Sequence, residues 1–331
     1  VPCVSVIVPC YNHARYVDEA LGSLAAQTFT DWEALVIDDF SQDESLALAK
    51  RWGERDSRFR VLANEANLGT YATQAKALIL STGRLTAVLN SDDVWEPDKL
   101  RAQVQALDAH PGAKFCYTLG STCDAEGREL GGDDVHGDWP IDPVQDLTPW
   151  LVRENRVLAS SVLWRREWVD FHADLRFSGD WVALIEAGGP AVLLPERLTK
   201  WRIHGANTST LSPDQALEEV RVRRAVKVAL RNRTDLQASL ARNDLDLVAL
   251  YLLFGDRWSA LKLSAGLVRS PLDKRTAWRR ALSPLVPLSK SVPHLWPGVD
   301  PKPFRNARKR LWDLPPLSLR FKRQGQPSGC E

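Results

Sequence analysis

"VSVIVPCYNHARYVDEALGSLAAQTFTDWEALVIDD", residues 4–39, decides the fold class. It opens on a short β-branched run (4–9) that reads as a strand buried on both faces. A helical stretch follows from about Ala14 to Gln27, with Val17, Leu21 and Leu24 on one face, and then a second apolar run, "WEALVID" (32–38). Outward from there the alternation continues. "ESLALAKRW" (44–52) reads as a helix, "FRVLA" (59–63) as a strand, and Thr70 to Leu80 as a helix that ends near Gly83. "LTAVLN" (85–90) is a fourth strand, and Pro97 stands at the first turn of a helix through "DKLRAQVQALDAH". Strands alternating with helices at this spacing predict an α/β fold, a Rossmann-like, mostly parallel sheet with helices on both faces. Such sheets bind ligands beyond the carboxyl ends of their strands.

Of the 331 residues, 44% are hydrophobic and 26% charged, the balance of a soluble globular chain and not of a disordered one. The net charge of +1 conceals an asymmetry: residues 211–331 hold 23 Lys/Arg and 11 Asp/Glu, so the basic excess of that region is matched by an acidic excess before it. The longest apolar run, "LVALYLLF" (247–254), falls well short of the roughly 18 residues of a membrane span, and no charged-then-apolar signal opens the chain. A cytoplasmic protein is expected. The five cysteines, an odd number without zinc or redox spacing, read as reduced thiols.

From about 121 to 150 the pattern loosens, with a long loop through "GGDDVHGDWPIDP" (131–143). Order resumes in three stretches (156–168, 179–189 and 191–209), residues 214–270 are helix-rich, and the last 40 or so are proline-broken and basic. Residues 302–323, "KPFRNARKRLWDLPPLSLRFKR", carry eight basic residues and one acid, interleaved with Phe304, Leu311, Trp312 and Phe321. That composition suits peripheral attachment to an anionic membrane surface. A solvated basic face packed on the acidic part is the alternative. No nucleic acid partner is expected, since no binding module accompanies the charge.

Three polar or acidic clusters stand at strand ends: "VPCYNH" (8–13), "VIDDFSQD" (36–43) and "LNSDDVW" (89–95). Acids at the carboxyl ends of neighbouring parallel strands converge on one crevice and raise one another's pKa unless a cation neutralises them. Mg²⁺ or Mn²⁺ would do so while bridging to substrate phosphates. Asp92 and Asp93 therefore read as the holder of a metal–diphosphate; the alternative is a solvated turn in which Ser91 and Asp92 cap the next helix. A Gly-rich phosphate cradle is absent, which leaves phosphate to metal and side chains.

The opening stretch, "NLGTYATQAKALILSTGRLTAVLNSDD" (67–93), "SSVLWRREW" (160–168), "FSGDW" (177–181) and "KWRIHGANTS" (200–209) together resemble family 2 glycosyltransferases, inverting enzymes of the GT-A fold that use nucleotide-diphospho-sugars. The resemblance implies a GT-A glycosyltransferase domain over 1–210, its nucleotide-binding half about 1–120 and its acceptor half about 121–210. A helical basic extension follows over 211–331. It implies that Pro9, Tyr11 and Asn12 line the nucleotide pocket, Tyr11 facing the base. Asp39 would accept a hydrogen bond from the base, while Asp38 supports the turn. Asn90 could bind ribose. Asp92 and Asp93 would be the acid pair, one at ribose or metal and one holding the metal. Asp180 would be the catalytic base, with a helix N-cap as its bland alternative. Arg202 and His204 would close over the diphosphate, His204 completing the metal shell. Many relatives carry an acid where Asn90 stands, a basic residue and an asparagine where Gln74 and Ala75 stand, and a glutamate where Gly179 stands. The implied partners are a nucleotide-diphospho-sugar donor and a saccharide or lipid-linked saccharide acceptor. The other classes weighed are a nucleotidyltransferase, which needs a Gly-rich basic loop after the first strand, a phosphoacceptor module, and a nucleotide-sugar-binding pseudoenzyme.

Overall fold

The computed structural model describes residues 1–130, 142–205, 207, 211–267, 284 and 295–321. Most of the Gly/Asp-rich loop, part of "GANTS" and the last two residues of the basic stretch lie outside the described residues. The chain divides into two compact units, one made of residues 1–147, 156–208 and 321–331, the other of 148–155 and 209–320.

The first unit begins with β1 (Val4–Cys10), α1 (Val17–Ala25), β2 (Trp32–Asp38), α2 (Ser45–Arg55), β3 (Phe59–Ala63), α3 (Thr70–Leu80) and β4 (Leu85–Val88). Its first four strands pair in the order β3-β2-β1-β4, all parallel. Every residue of β1 is buried, which is why the run 4–9 shows no polar alternation. One face of β1 and β2 (Val4, Val6, Val8, Ala34, Val36) packs with Val17, Leu21 and Leu24 of α1 in the main core. Ser5, the polar exception, donates to Glu33 Oε1 at 2.7 Å and accepts from Gly83 N at 2.8 Å. A Cβ at Gly83 would lie 2.6 Å from the Ser5 nitrogen, so the helix-to-strand turn there admits only glycine.

Beyond β4 the sheet turns mixed. β5 (Val94–Trp95), α4 (Lys99–Ala109), β6 (Phe115–Cys123) and β7 (Val144–Asp146) are followed by β8 (Val162–Arg165) and β9 (Pro190–Arg202). β8 runs antiparallel to both β4 and β6, and β6 runs parallel to β9. The 13-residue β9 pairs with β7 at its start and with β5 at its end. That carries its last residues to the loop after β4. Pro97 stands two residues ahead of α4, in the turn that leads into it. The helix α6 (Gly179–Ala187) precedes β9; α5 (Thr148–Leu151) belongs to the second unit.

In the second unit α7 (Pro213–Leu230), α8 (Gln237–Leu253) and α9 (Arg257–Leu267) share a core that includes Leu217, Val220, Val248, Leu252 and Phe254. Ser212 caps α7 by accepting from Gln215 N at 3.2 Å, with Pro213 at the first helical position. Phe304 and Leu311 of the basic stretch are buried in this same core, while Trp312 and Phe321 stay exposed. Two of the four interleaved apolar side chains thus serve folding and are not presented to a surface. Among the described residues no helix is long and apolar enough to cross a membrane.

Candidate metal and nucleotide site

The loops that leave β1, β2 and β3 are tied together at the carboxyl edge of the parallel strands. Asn12, in the left-handed region at φ 53° that asparagine tolerates, accepts from Gln42 N at 2.8 Å through Oδ1, and its own N–H donates to Ser41 Oγ at 2.9 Å. Asp39 is buried, and its carboxylate accepts from Asn64 Nδ2, Leu68 N and Gly69 N, each at 2.8 Å. It clamps the loop that opens α3. Asp38 accepts from Ser41 N at 2.9 Å through one oxygen, while its other oxygen, Oδ1, is buried without a hydrogen-bond partner. Pro9 is buried within β1. Tyr11 is 44% exposed, and so are Phe40 and Leu68 to a similar extent, one apolar side chain on each of the three loops. Phe40 holds φ at 67°, a conformation costly for a bulky residue.

One step along the sheet edge, three metal-ligating side chains meet. Asp92 follows β4, His13 follows β1 and His204 follows β9, and one ligand atom from each lies within 4.8 Å of the others. His204 Nε2 is 3.1 Å from Asp92 Oδ2, and His13 Nε2 is 3.9 Å from the same oxygen. Tyr16 stacks on His204 with ring centroids 4.8 Å apart. His13 pairs through Nδ1 with Ser91 Oγ at 2.8 Å, and its N–H donates to Ser45 Oγ at 2.8 Å. Burial holds the His13 imidazole below its ordinary pKa, against the opposing pull of Asp92. The neutral ring is the form that ligates. In the tautomer whose Nδ1–H donates to Ser91, Nε2 turns its lone pair toward Asp92. Cis ligands on a hard divalent ion with bonds of about 2.0–2.1 Å sit about 3 Å apart; His204 and Asp92 stand at that spacing, and His13, at 3.9 Å from Asp92, would have to move closer to join them.

Asp93 stands apart from this trio. It is 3% exposed, with Oδ2 accepting from Ser160 Oγ at 2.5 Å and from Asn90 Nδ2 at 3.3 Å, and Oδ1 from Arg202 N at 3.1 Å. Burial first, and the Asp92 charge second, push its carboxyl up to about 7. The adjacent acids thus have separate surroundings: Asp92 beside two imidazoles, Asp93 pinning the loop after β4 to β9 and to the turn before β8. Neither caps α4, whose N-cap is Asp98. Arg202 is 2% exposed and points inward. It donates to Asp92 O at 2.9 Å, Asp124 O at 3.3 Å and Glu19 Oε2 at 2.5 Å, so its guanidinium is engaged by the protein itself. Asn207 holds the turn after β9, donating to Arg202 O at 3.0 Å and accepting from His204 N.

Asp180 lies in the first turn of α6, after Ser178 at the N-cap, and accepts from the Tyr71 hydroxyl at 2.9 Å through Oδ1. Tyr71 and His13 escaped the sequence reading. His13 belonged to a cluster already singled out, and only its distance to Asp92 and His204 marks it as a ligand. Nothing in the local pattern around Tyr71 tells it from an ordinary apolar helix position.

Acids and imidazoles thus meet at the carboxyl edge of a parallel half-sheet that is joined to a mixed second half. Residues 5–158, a little under half of the chain, match the family model described as Glycosyl transferase family 2. The chain is 36% identical over 104 residues to the Escherichia coli UDP-Glc:alpha-D-GlcNAc-diphosphoundecaprenol beta-1,3-glucosyltransferase WfgD, covering 31% of this chain and 40% of that protein. It spans 15% and 51% of the length of two other curated relatives that it matches. Among solved structures it is similar to S. aureus TarS 1-349 in complex with UDP, with TM-score 0.56 and 21% identity over 94% of this chain and 91% of that one. The mannosyltransferase PcManGT from Pyrobaculum calidifontis, in complex with GDP-Man and Mn²⁺, gives TM-score 0.56 at 16% identity over 94% of this chain and 85% of the other. These likenesses establish the GT-A type of fold with a helical extension.

Proposed function

We propose that the chain is an inverting, metal-assisted glycosyltransferase that moves a sugar from a nucleotide-diphospho-sugar to a saccharide or lipid-linked saccharide acceptor, in the synthesis of a cell-surface polysaccharide. The observation that carries this reading is the convergence of His13, Asp92 and His204 at the carboxyl edge of the parallel strands, where sheets of this kind bind ligands. Two imidazoles and a carboxylate suit Mn²⁺ better than Mg²⁺, which prefers an all-oxygen shell. An ion held there supplies Lewis-acid stabilisation of the charge that grows on the leaving diphosphate.

The remaining roles fall to the chain's own residues. Tyr11 offers its exposed ring to the nucleobase, with Pro9 and Asn12 shaping the floor and wall beside it. Asp39 acts on the donor through the loop it clamps, and Asn90 and Asp93 hold the backbone that aims Asp92. Arg202 braces the end of β9, which sets His204 in place. Asp180 takes the proton from the acceptor hydroxyl, and a single displacement on the opposite face of the sugar inverts the anomeric carbon. The domain boundary near residue 210 separates this machinery from the helical extension. Any contact with an anionic membrane falls to the exposed Trp312, Phe321 and the basic residues between 302 and 320. Co-sedimentation with anionic liposomes at low salt tests that part, and failure to co-sediment removes it.

Calorimetry with UDP, GDP and dTDP, with and without Mn²⁺, tests the donor site; the reading expects Mn²⁺ to tighten binding of one nucleotide. A screen of nucleotide-sugar donors with wild type and Asp180→Asn tests the base. Transfer should fall about 10²–10⁴-fold in the variant. Unchanged transfer removes Asp180 from the mechanism.

A further inference from the structure

The contact between α3 and the first turn of α6 has a geometry that packing alone does not demand. Tyr71 is 8% exposed, and its ring lies flat over Gly179: a Cβ at 179 would stand 2.4, 2.5 and 2.7 Å from three carbons of that ring. Real Cβ atoms do not approach so closely, so any side chain at 179 and this ring at 71 exclude one another. The ring so seated delivers its hydroxyl to Asp180 Oδ1 at 2.9 Å, with the Phe177 carbonyl at 3.3 Å from the same oxygen. The N-terminus of α3 that carries Tyr71 is fixed in turn: Gly69 N donates to the buried Asp39 carboxylate at 2.8 Å, and Gly69 takes φ 89° to enter the helix. A chain of contacts thus runs from the donor-side loops to the carboxylate on the acceptor side.

We propose that Tyr71 is a positioning residue for Asp180, admitted by the missing side chain at Gly179. The inference rests on the reading of Asp180 as the base. A phenol that donates to Oδ1 helps to fix the carboxylate plane in which Asp180 meets the acceptor hydroxyl. Without the hydroxyl the carboxylate loses one of the contacts that aim it, and the loss falls on the chemical step and not on donor binding.

The test compares Tyr71→Phe, Gly179→Ala and Asp180→Asn in steady-state transfer with the donor found in the screen. Tyr71→Phe keeps the ring and its packing, so melting should stay within a degree or two of wild type. Its kcat should fall about tenfold to a hundredfold, the value of one hydrogen bond to a charged group, with KM for the donor unchanged. Gly179→Ala displaces the ring and should lose kcat to a similar degree, and adding Tyr71→Phe to it should cost little more. Wild-type kcat in Tyr71→Phe, alongside an inactive Asp180→Asn, overturns the positioning role and leaves the base intact. A loss expressed in KM alone also overturns it. An active Asp180→Asn removes the base itself, and this inference with it.

Discussion

Removing the Asp39 carboxylate separates two roles that the residue could play, a contact to a nucleobase or a clamp on the protein's own loop. Three donors converge on it at 2.8 Å, and the group is 3% exposed. Hydrogen bonds to a charged acceptor contribute about 1.5–3 kcal/mol each. Not all of that is lost in Asp39→Ala. Leu68 is 50% exposed, so its N–H and that of Gly69 regain water once the loop loosens. Asn64, 6% exposed, keeps its bond to Thr73 Oγ1 at 3.0 Å. The net cost should be about 3–5 kcal/mol, the loss of a buried network and not of a surface contact. Urea denaturation followed by tryptophan fluorescence measures it, without any nucleotide present. A residue that merely awaits a ligand would cost less than about 0.5 kcal/mol. A midpoint shift of that small size would refute the clamp.

Phe40→Gly should raise stability by at most about 1 kcal/mol, because the steric relief at φ near +67° is partly offset by the extra backbone entropy that glycine loses on folding, and nucleotide affinity in calorimetry should fall with the loss of the exposed ring. Lys99 is fully buried, its Nζ 3.9 Å from the Trp95 ring centre and donating to Gln103 Oε1 at 2.7 Å, and burial lowers its pKa to about 7. Between that value and the ordinary 10.5 the unfolded chain holds a proton that the folded one does not. Stability therefore climbs with pH across this window, by at most about 1.4 kcal/mol per unit, and the penalty is fully present below pH 7. Lys99→Met should be more stable than wild type at pH 7 and should flatten that slope in denaturation curves taken from pH 7 to 10; an unchanged difference between the two proteins across the range counts against the buried charge.

The parallel half of the sheet was legible because its strands are buried on both faces and its helices carry one apolar stripe, so period alone separates them. β6 was not read: "FCYTLGSTC" mixes small, polar and aromatic residues, and it pairs with β8 and β9, partners more than forty residues away that only the tertiary fold supplies. Asp92 and Asp93 look equivalent as neighbours in a chain. What divides them is Ser160 and the backbone of β9, which close over one carboxylate and leave the other beside two imidazoles. Arg202 shares that blindness to direction. A basic residue at a strand end suits phosphate, yet on β9 its side chain turns inward to Glu19, while its neighbour Ile203 is 41% exposed. The basic stretch was legible in charge but not in packing, since Phe304 and Leu311 find their places only against α7 to α9.

The division of labour within the acid pair is tested most directly by Mn²⁺ titration, read by the loss of the free-ion paramagnetic resonance signal, on wild type, Asp92→Asn and Asp93→Asn. The account predicts that wild type binds, that Asp92→Asn loses the ion, and that Asp93→Asn keeps it with an affinity lowered by about 10–100-fold, as for outer partners of a metal site. Binding that survives in Asp92→Asn and vanishes in Asp93→Asn would contradict it.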